Sequence, residues 1–597
     1  MNDLNNKNFI LAIVLSMVII FGWQYFYAIP TADKAKQEAA ITQPATTTTT
    51  PATTTTAQVP GAATAVTPVT RDQALASTPR LKIDTPELQG SINLTGAQLD
   101  DLHLTGYRET IDPKSPTIVL LSPAGTPNAF FAEQGFVGAT GTTAKLPDSK
   151  TPWQAPADAV LGVGKPVTLT WDNGAGLVFT RQISIDDKYV FSITQDVQNN
   201  TAAPVALIPY GRVQRQDTPK TAGFWVFFEG MLGYVGDKLQ EVHYKDVVGA
   251  TEPMKVDSVG GWLGFTDKYW AATMIPDQAR AITSTFQHQL LNGRDVYQTD
   301  YLAKDAIVIP PGGKGLYQDQ LFAGAKVVKT IQAIGGKYKI PKFDLMIDWG
   351  WFEFITKPMF YLLEFIKGIV GNFGIAILIA TVLVKLAVFP LANKSYASMS
   401  KMKKLQPEMA KLKELYPDDR VKQQQAMMEL YKREKVSPIS GCLPVVVQIP
   451  VFFSLYKVIL TSIELRHAPF FGWIHDLSAA DPTNFFNLFG LIPWSPPHFL
   501  ILGVWPLLMG ITMWVQMRLN PTPPDPVQAS LFNWMPIMFT FMLGSFPAGL
   551  VIYWAWSNFL SILQQSFIMK RHGVELDLLG NIRDSLPFLK KKPAATT

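Results

Sequence analysis

The first residue in this sequence that needs a chemical explanation is Lys385, a lysine inside the apolar stretch 374–391. That stretch is long enough to cross a bilayer as a helix. A lysine at membrane depth costs about 2.5–3.5 kcal/mol on insertion scales, so such residues usually face a protein interior or a water-filled cavity. Thr381 lies four residues earlier and would share a helix face with Lys385. The pair predicts a polar site inside the membrane.

Acidic residues are missing from the segments that would surround this lysine. Four more apolar segments follow, at about 443–463, 499–518, 531–546 and 550–569, and none of them contains Asp or Glu. Their polar residues include Gln448, Ser454, Thr512, Gln516, Thr540, Ser557 and Asn558. An ion-coupled transporter would need acidic groups at membrane depth. We therefore expect Lys385 to face a hydrated cavity and to attract carboxylates from an outside partner.

The composition favours a membrane protein with a soluble part and excludes several classes of site. Of the 597 residues, 47% are hydrophobic and 17% are charged, against about 25% charged in a typical soluble domain. The single cysteine, Cys442, excludes an internal disulfide and a cysteine-based zinc site. The seven histidines form no HExxH or comparable ligand pair. We expect no metal, no cofactor and no enzymatic activity.

The N-terminal region predicts a membrane anchor followed by a tether. Residues 9–29 are apolar over the length of a spanning helix and end in WQYFYAIP, whose aromatic residues suit the membrane interface. A cleaved signal peptide is the alternative, but these bulky residues occupy the place of a small-residue cleavage motif. We assign 1–29 to an uncleaved anchor. Residues 30–80, rich in Thr, Ala and Pro, are assigned to a disordered linker.

Residues 81–340 predict a large β-sandwich outside the membrane. In the runs VTLTW, LVFTRQISI and YVFSITQDV, apolar residues tend to alternate with polar ones, and DNGAG and DDK supply the turns between them. No convergent acid–base pair, nucleophile or phosphate loop stands out here. The aromatic stretch 223–234 would suit a cleft for sugar or peptide, but a place in the sandwich core or in a domain contact is favoured.

Residues 341–371 have the pattern of an amphipathic helix that lies on the membrane surface. Their charged side chains fall close to one face, and large apolar side chains cover much of the remainder; the charged residues are Glu353, Lys357, Glu364 and Lys367. Residues 372–570 are assigned to a core of five spans. With the anchor, the chain is therefore predicted to have six transmembrane spans.

A charged segment, 394–436, interrupts the core. Met and Leu recur every three to four residues, and Tyr-Pro-Asp-Asp at 416–419 predicts a turn, which together indicate a helical hairpin. The segment has eleven Lys or Arg residues and six Asp or Glu residues, and the tail 571–597 is also basic. The distribution of basic residues places both in the cytoplasm. Six spans then put both termini in the cytoplasm and the β-sandwich on the opposite side.

Four further motifs are distinctive, and they accompany a basic residue in the span before the hairpin: GCLPVVVQIPVFFSLY (441–456), ELRHAPFFGWIHDLS (464–478), NPTPPDP (520–526) and FNWMPIMFTFMLGSFPAGLVIYW (532–554). Together these features resemble the YidC membrane protein insertase family, in its Gram-negative bacterial branch. The resemblance covers the whole order of parts. It implies a periplasmic β-supersandwich related to sugar-binding folds, and a core groove that is open to cytoplasm and lipid but closed to the periplasm.

The resemblance also implies which residues form the groove. The family usually has arginine where this sequence has Lys385, a change that keeps the charge but removes the bidentate fork that suits carboxylates. Thr381 and Gln448 are the expected polar groove residues. The positions at which family members are thought to contact the incoming helix match Ile449, Pro450, Phe452 and Met542.

The function implied is that of an insertase and chaperone for nascent inner-membrane proteins, acting alone or with the Sec translocon. The expected partners are nascent membrane proteins, the ribosome, the Sec translocon, the signal recognition particle receptor and the lipid bilayer. Two alternatives come from other classes: a secondary transporter, and a cell-envelope sugar-binding protein that acts through the β-domain. The first lacks acidic residues in its spans, and the second lacks a recognisable acid–base set.

Overall fold

The structure of the protein is a computed structural model. It describes Val59 and residues 69–221, 227–250, 252–417, 419–434, 436, 443–494, 496–497, 502–520 and 526–573. The predicted anchor 1–29, most of the predicted linker 30–80 and most of the predicted tail 571–597 lie outside the described residues.

The described residues between Arg80 and Ala325 form nineteen strands in two sheets. The first sheet has eleven strands in the order β13-β16-β17-β10-β5-β3-β2-β1-β6, with β18 beside β10 and β4 beside β3. The second has eight strands in the order β12-β11-β14-β15-β19-β9-β8-β7. Phe130 of the first sheet meets Phe265 of the second edge to face, with ring centroids 5.7 Å apart. The predicted β-sandwich is confirmed.

The strands are β1 Arg80–Asp84, β2 Leu88–Asn93, β3 Gln98–Arg108, β4 Thr117–Leu121, β5 Phe130–Gly138, β6 Val160–Leu161, β7 Val167–Asp172, β8 Leu177–Ile185, β9 Val190–Asn199, β10 Val205–Gln216, β11 Gly230–Val235, β12 Lys238–Val242, β13 Met254–Val259, β14 Trp262–Thr266, β15 Trp270–Ile275, β16 Ala281–Leu291, β17 Arg294–Ala303, β18 Ile307–Ile309 and β19 Lys314–Ala325.

The strand β8 shows how the sequence produces this sandwich. Every second side chain from Leu177 to Ile185 is buried, as the alternation of apolar residues predicts for a strand with one face in a core. The turn before β8 is closed by Asn173, whose Oδ1 accepts hydrogen bonds from the N–H groups of Ala175 (2.8 Å) and Leu177 (3.0 Å). Turn chemistry and strand periodicity therefore agree, and they fix the register of β7 on β8.

The helices of the described residues are α1 Arg71–Ala76, α2 Tyr244–Val247, α3 Val328–Lys337, α4 Glu353–Val370, α5 Phe373–Ala387, α6 Phe389–Lys404, α7 Gln406–Leu415, α8 Arg420–Arg433, α9 Leu443–Thr461, α10 Val504–Leu519, α11 Pro526–Leu543 and α12 Ala548–Arg571. Short 3-10 helices cover Phe343–Met346, Ile463–Leu465 and Phe485–Gly490.

The predicted span 374–391 is not a single helix, because the chain bends near Val388. The helix α5 ends at Ala387 and α6 begins at the second residue after it, with an angle of 67° between them. Pro390 lies in the first turn of α6, where its missing N–H is tolerated, but it cannot continue the hydrogen bonding of α5. The stretch is therefore not one straight helix, and its passage across the membrane stays a prediction.

The predicted hairpin 394–436 contains parts of three helices rather than two. The first arm is divided at Leu405, because α7 starts there with Pro407 in its first turn. The turn between α7 and α8 lies at the predicted place, and Asp419 caps α8 by accepting a hydrogen bond from the N–H of Lys422 at 3.0 Å. The cytoplasmic location of these helices stays a prediction.

Polar contacts join the β-sandwich to the loop that follows α9. Glu464 Oε1 accepts a hydrogen bond from the N–H of Val328, at the start of α3, at 2.9 Å. Arg466 Nη2 donates to the carbonyl of Arg108 at 2.6 Å, and its guanidinium lies 5.4 Å from the ring centroid of Trp270. The end of α9 that leads into this loop is therefore the end next to the β-sandwich.

The described helices correspond only in part to the predicted transmembrane spans. Among the described residues, no single helix is both long and apolar enough to cross a membrane, whereas the bent pair α5 and α6 meets that requirement together. Shorter apolar helical stretches cover Gln448–Thr461 and Ser530–Leu543. The six-span topology stays a prediction.

The sandwich core contains carboxyl groups that are far from water. Asp319 on β19 is completely buried and accepts a hydrogen bond from the hydroxyl of Tyr301 on the opposite sheet. Burial raises the pKa of Asp319 to about 7, although the positive charge of Arg181 opposes the rise. Burial likewise raises the pKa of Asp100 and of Asp300, each to about 6.

These shifts predict that mild acid stabilises the β-sandwich. Between the ordinary aspartate pKa and about 7, the folded state binds more protons at Asp319 than the unfolded state, so the free energy of unfolding falls as pH rises through that range. Asp319→Asn removes the charge, and we expect a higher unfolding temperature at pH 8 and a flatter dependence on pH. Thermal unfolding of the full chain, followed by the β-sheet signal in circular dichroism, measures both effects. The exposed Asp158→Asn is the control; an unchanged pH profile in Asp319→Asn would contradict the assignment.

A polar cavity around Lys385

Three helices supply the environment of Lys385. The residue lies in the last turn of α5, and its Nζ donates hydrogen bonds to Gln448 Oε1 of α9 at 3.2 Å and to Ser561 Oγ of α12 at 2.7 Å. Both acceptors are neutral. No ion pair of the described residues includes Lys385, so its charge is solvated by protein oxygens without being neutralised.

The two acceptors are themselves held in place by α12. Gln448 Nε2 donates to Ser557 Oγ at 2.9 Å, and Ser561 Oγ donates to the carbonyl of Ser557 at 2.9 Å. Ser557 and Ser561 are one helical turn apart, so one face of α12 carries both. The donor sides of Gln448 and Ser561 are thus satisfied elsewhere, which turns their oxygens toward the ammonium group.

A cavity of about 90 Å³ adjoins this network. Its polar lining consists of Thr381, Lys385, Tyr396, Gln448, Gln516, Asn520, Tyr553, Ser561 and Gln564. Its apolar lining consists of Met359, Ile377, Ala380, Val384, Val388, Leu391, Ala392, Met399, Val451 and Leu455. A water molecule takes about 30 Å³ in the liquid, so the space admits a few waters or a small polar group. None of these lining residues is acidic.

The structure brings together the three predicted polar residues. Thr381, Lys385 and Gln448 all line the same cavity, although they belong to two helices. Thr381 is buried, and its hydroxyl donates to the carbonyl of Ile377 at 2.6 Å within α5. Its hydroxyl proton is therefore used within the helix, and its oxygen is left as an acceptor at the cavity wall.

The four predicted apolar contact residues have different surroundings. Ile449 is 45% exposed and Met542 is 49% exposed. Phe452 packs inside the core instead, because its ring stacks on Trp554 with centroids 4.6 Å apart and 15° between the planes. Pro450 is half-buried. The contact of these residues with a passing helix stays a prediction, and Ile449 and Met542 are the two that present a free surface.

Sequence reasoning missed two residues that matter here. Ser561 provides the shorter hydrogen bond to Lys385, and its spacing of four from Ser557 was the available signal. Lys457 is a second lysine inside the predicted span 443–463; it is buried, and its Nζ lies 2.6 Å from Asp348 Oδ2. Asp348 precedes α4 and lies outside the predicted spans, so a search for acids within the spans did not find this partner.

Two family models and several relatives match this chain. The family model described as the YidC periplasmic domain matches residues 80–362, and the one described as 60Kd inner membrane protein matches residues 365–575. A membrane protein insertase YidC of Bradyrhizobium diazoefficiens is 53% identical over 97% of this chain and 98% of its own length. That of Rhizobium meliloti is 53% identical over 99% of this chain and 100% of its own length.

A solved structure of an active YidC insertase aligns with 82% of this chain and 95% of its own, at 17% sequence identity and a TM-score of 0.34. That structural likeness is too low to support a conclusion. The family models and relatives alone define the class, an inner-membrane protein that carries a periplasmic domain. The chain belongs to the YidC membrane protein insertase family, and the resemblance predicted from its motifs is confirmed.

Lys457 and Lys385 predict different effects on stability. Lys457→Met leaves the half-buried Asp348 without its cation, so we expect a lower unfolding temperature. Lys385→Met removes an ammonium that only neutral oxygens solvate, so we expect an equal or higher unfolding temperature. Thermal unfolding of both variants in the same detergent measures the difference. An equal loss of stability in both would contradict the distinction between a paired lysine and an unpaired one.

Proposed function

We propose that this protein inserts and helps to fold nascent inner-membrane proteins, and that the cavity at Lys385 receives a polar segment of the substrate. The observation that carries the proposal is the ammonium group of Lys385, which is held by two neutral acceptors beside a cavity without acidic lining. Such a group retains its attraction for an acidic side chain or a chain terminus that enters the cavity. The names of the relatives support the same function.

The work of insertion requires no bond chemistry. A polar segment that enters the cavity exchanges water for the oxygens and the charge of Thr381, Lys385 and Gln448, which lowers the cost of moving it into the membrane. The apolar helix of the substrate then moves into lipid, and its burial supplies about 25 cal/mol per Å² of apolar surface. Exposed apolar positions such as Ile449 and Met542 are the proposed surfaces along which that helix passes.

The proposed topology has six spans, both termini in the cytoplasm and the β-sandwich in the periplasm. The basic residues of 394–436 and of the tail support a cytoplasmic location for these segments. The ribosome and the signal recognition particle receptor are proposed to bind the helices α7 and α8 and the tail, where exposed positive charge would attract acidic partners. The Sec translocon is proposed as a membrane partner for larger substrates.

A secondary transporter is the less supported alternative. Coupling to a cation gradient requires acidic groups that bind the ion at membrane depth, and the lining of the Lys385 cavity has none. A sugar-binding role has less support in the described β-sandwich, because the carboxyl groups of Asp100, Asp300 and Asp319 are sealed in the interior, where they cannot reach a sugar.

The positive charge of Lys385 is predicted to be needed for the insertion of substrates with acidic segments. We expect Lys385→Arg to insert substrates about as well as the native protein, because the positive charge is kept. Lys385→Glu should lower insertion of substrates with acidic external segments most strongly, because like charges repel. The two variants are compared by the insertion of a single-span protein whose external segment is either acidic or neutral. Protease protection measures that insertion. Equal insertion by both variants would show that the charge is dispensable.

The route of the substrate can be tested by photo-crosslinking. We expect a photo-reactive residue at position 381, 449 or 542 to crosslink to ribosome-bound nascent chains of a single-span protein. Position 458 is the matched control on α9, because Val458 is completely buried. Crosslinks from 458 with none from 449 would contradict the assignment of surfaces. Normal insertion without any crosslink at 381 would contradict the cavity as the route.

A further inference from the structure

A second cavity, here called the junction cavity, lies between the β-sandwich and the helical core. Its volume is about 580 Å³, within the usual range for small-molecule sites. Its walls come from β12 and the residues beside it, from the connector that precedes α4, and from one face of α9. The side chains that matter are Glu241, Asp348, Trp349, Trp351, Phe453 and Lys457.

The junction cavity lies at the end of α9 that contacts the β-sandwich. Lys457 is nine residues beyond Gln448 along α9, which is a rise of about 14 Å toward that end. Trp351, in the cavity wall, is 94% exposed, and Phe354 on the next turn is 73% exposed. Large exposed aromatic residues are typical of the membrane–water interface. With the β-sandwich outside the membrane, as proposed above, the mouth of the cavity would open at the level of the lipid headgroups.

Lys457, the lysine of the junction cavity, is positioned by the connector that precedes α4. Asp348 accepts a hydrogen bond from the N–H of Phe228 at 2.9 Å and another from Gly350 at 3.0 Å, besides its ion pair with Lys457. Gly350 has φ +72°, and a Cβ there would lie 2.6 Å from Cε of Lys457. The absence of a side chain at Gly350 thus makes room for the lysine stem. An ammonium has three N–H donors, so Lys457 keeps donors for a ligand anion.

Glu241 on β12, the edge strand of the second sheet, is an exposed carboxylate in the wall of the cavity. No hydrogen bond or ion pair found among the described residues ends on its carboxylate. Partial desolvation and the nearby charge of Asp348 raise its pKa, while Lys457 lowers it. A carboxylate in this situation favours a cationic ligand group, and the rings of Trp349, Trp351 and Phe453 add surfaces that attract cations.

We propose that the junction cavity binds the headgroup of a zwitterionic phospholipid, with its ammonium group at Glu241 and its phosphate at Lys457. The two ligand charges are joined by a two-carbon bridge in phosphoethanolamine, so one cavity with both signs of charge suits them. An anionic lipid fits less well, because Asp348 already neutralises Lys457 and Glu241 adds a negative charge to the wall. The acyl chains would lie along the exposed apolar side of α4. The lipid would thereby tie the β-sandwich and the connector to the membrane.

Lipid binding by the junction cavity can be tested without any insertion assay. The full chain in detergent is incubated with phosphatidylethanolamine, phosphatidylcholine or phosphatidylglycerol, and bound lipid is counted by native mass spectrometry. We expect the two zwitterionic lipids to bind several-fold better than phosphatidylglycerol. Glu241→Gln should abolish that preference, whereas Glu252→Gln, an exposed glutamate of the same domain, should retain it.

Three outcomes would overturn the proposal. They are equal binding of zwitterionic and anionic lipids, an unchanged preference in Glu241→Gln, and crosslinks from position 241 to a translocated peptide in place of lipid. Lys385→Glu should bind lipid like the native chain, because it changes the other cavity. Loss of insertion in that variant with intact lipid binding separates the two sites.

Discussion

The constraint on which the helical core depends is the solvation of one ammonium group that forms no ion pair with any described residue. Lys385 is surrounded by α5, α9 and α12, and it is stabilised only if Gln448 and Ser561 present their oxygens to it. That requirement fixes the rotation of the three helices about their axes, because Ser557 must in turn hold both acceptors. A carboxylate in place of Gln448 would neutralise the charge and remove its attraction for anything outside.

A second lysine, Lys457 on α9, shows the contrasting solution. Lys457 is neutralised by Asp348, and Asp348 belongs to the connector that joins the β-sandwich to the core. Removal of either partner leaves an uncompensated charge, so the pair fixes the position of the connector on α9. The helix α9 thus carries a paired lysine near the β-sandwich, and nine residues earlier it contributes Gln448 to the surroundings of Lys385, for which no ion pair is found among the described residues.

Much of the site could be predicted from the sequence because membrane segments restrict what polar residues can do. Lys385, Thr381 and Gln448 stood out as polar groups in apolar runs, and the structure brings them to one cavity. Ser561 and the pair of Lys457 with Asp348 depend on which helix faces meet, and periodicity within one segment does not contain that information. The β-sandwich followed from alternation and turns, but the pairing of strands far apart in sequence did not.

The bend at Val388 lies between Lys385, which lines the cavity, and the basic segment 394–436 that follows. Pro390 redirects the chain, so α6 packs against α12 through Tyr396 and Met399, and both residues also line the cavity. The helix α6 ends in Lys401, Lys403 and Lys404, of which Lys401 and Lys404 are exposed. One helix therefore carries both a wall of the cavity and the start of the basic segment, because the chain bends before that helix and not within it.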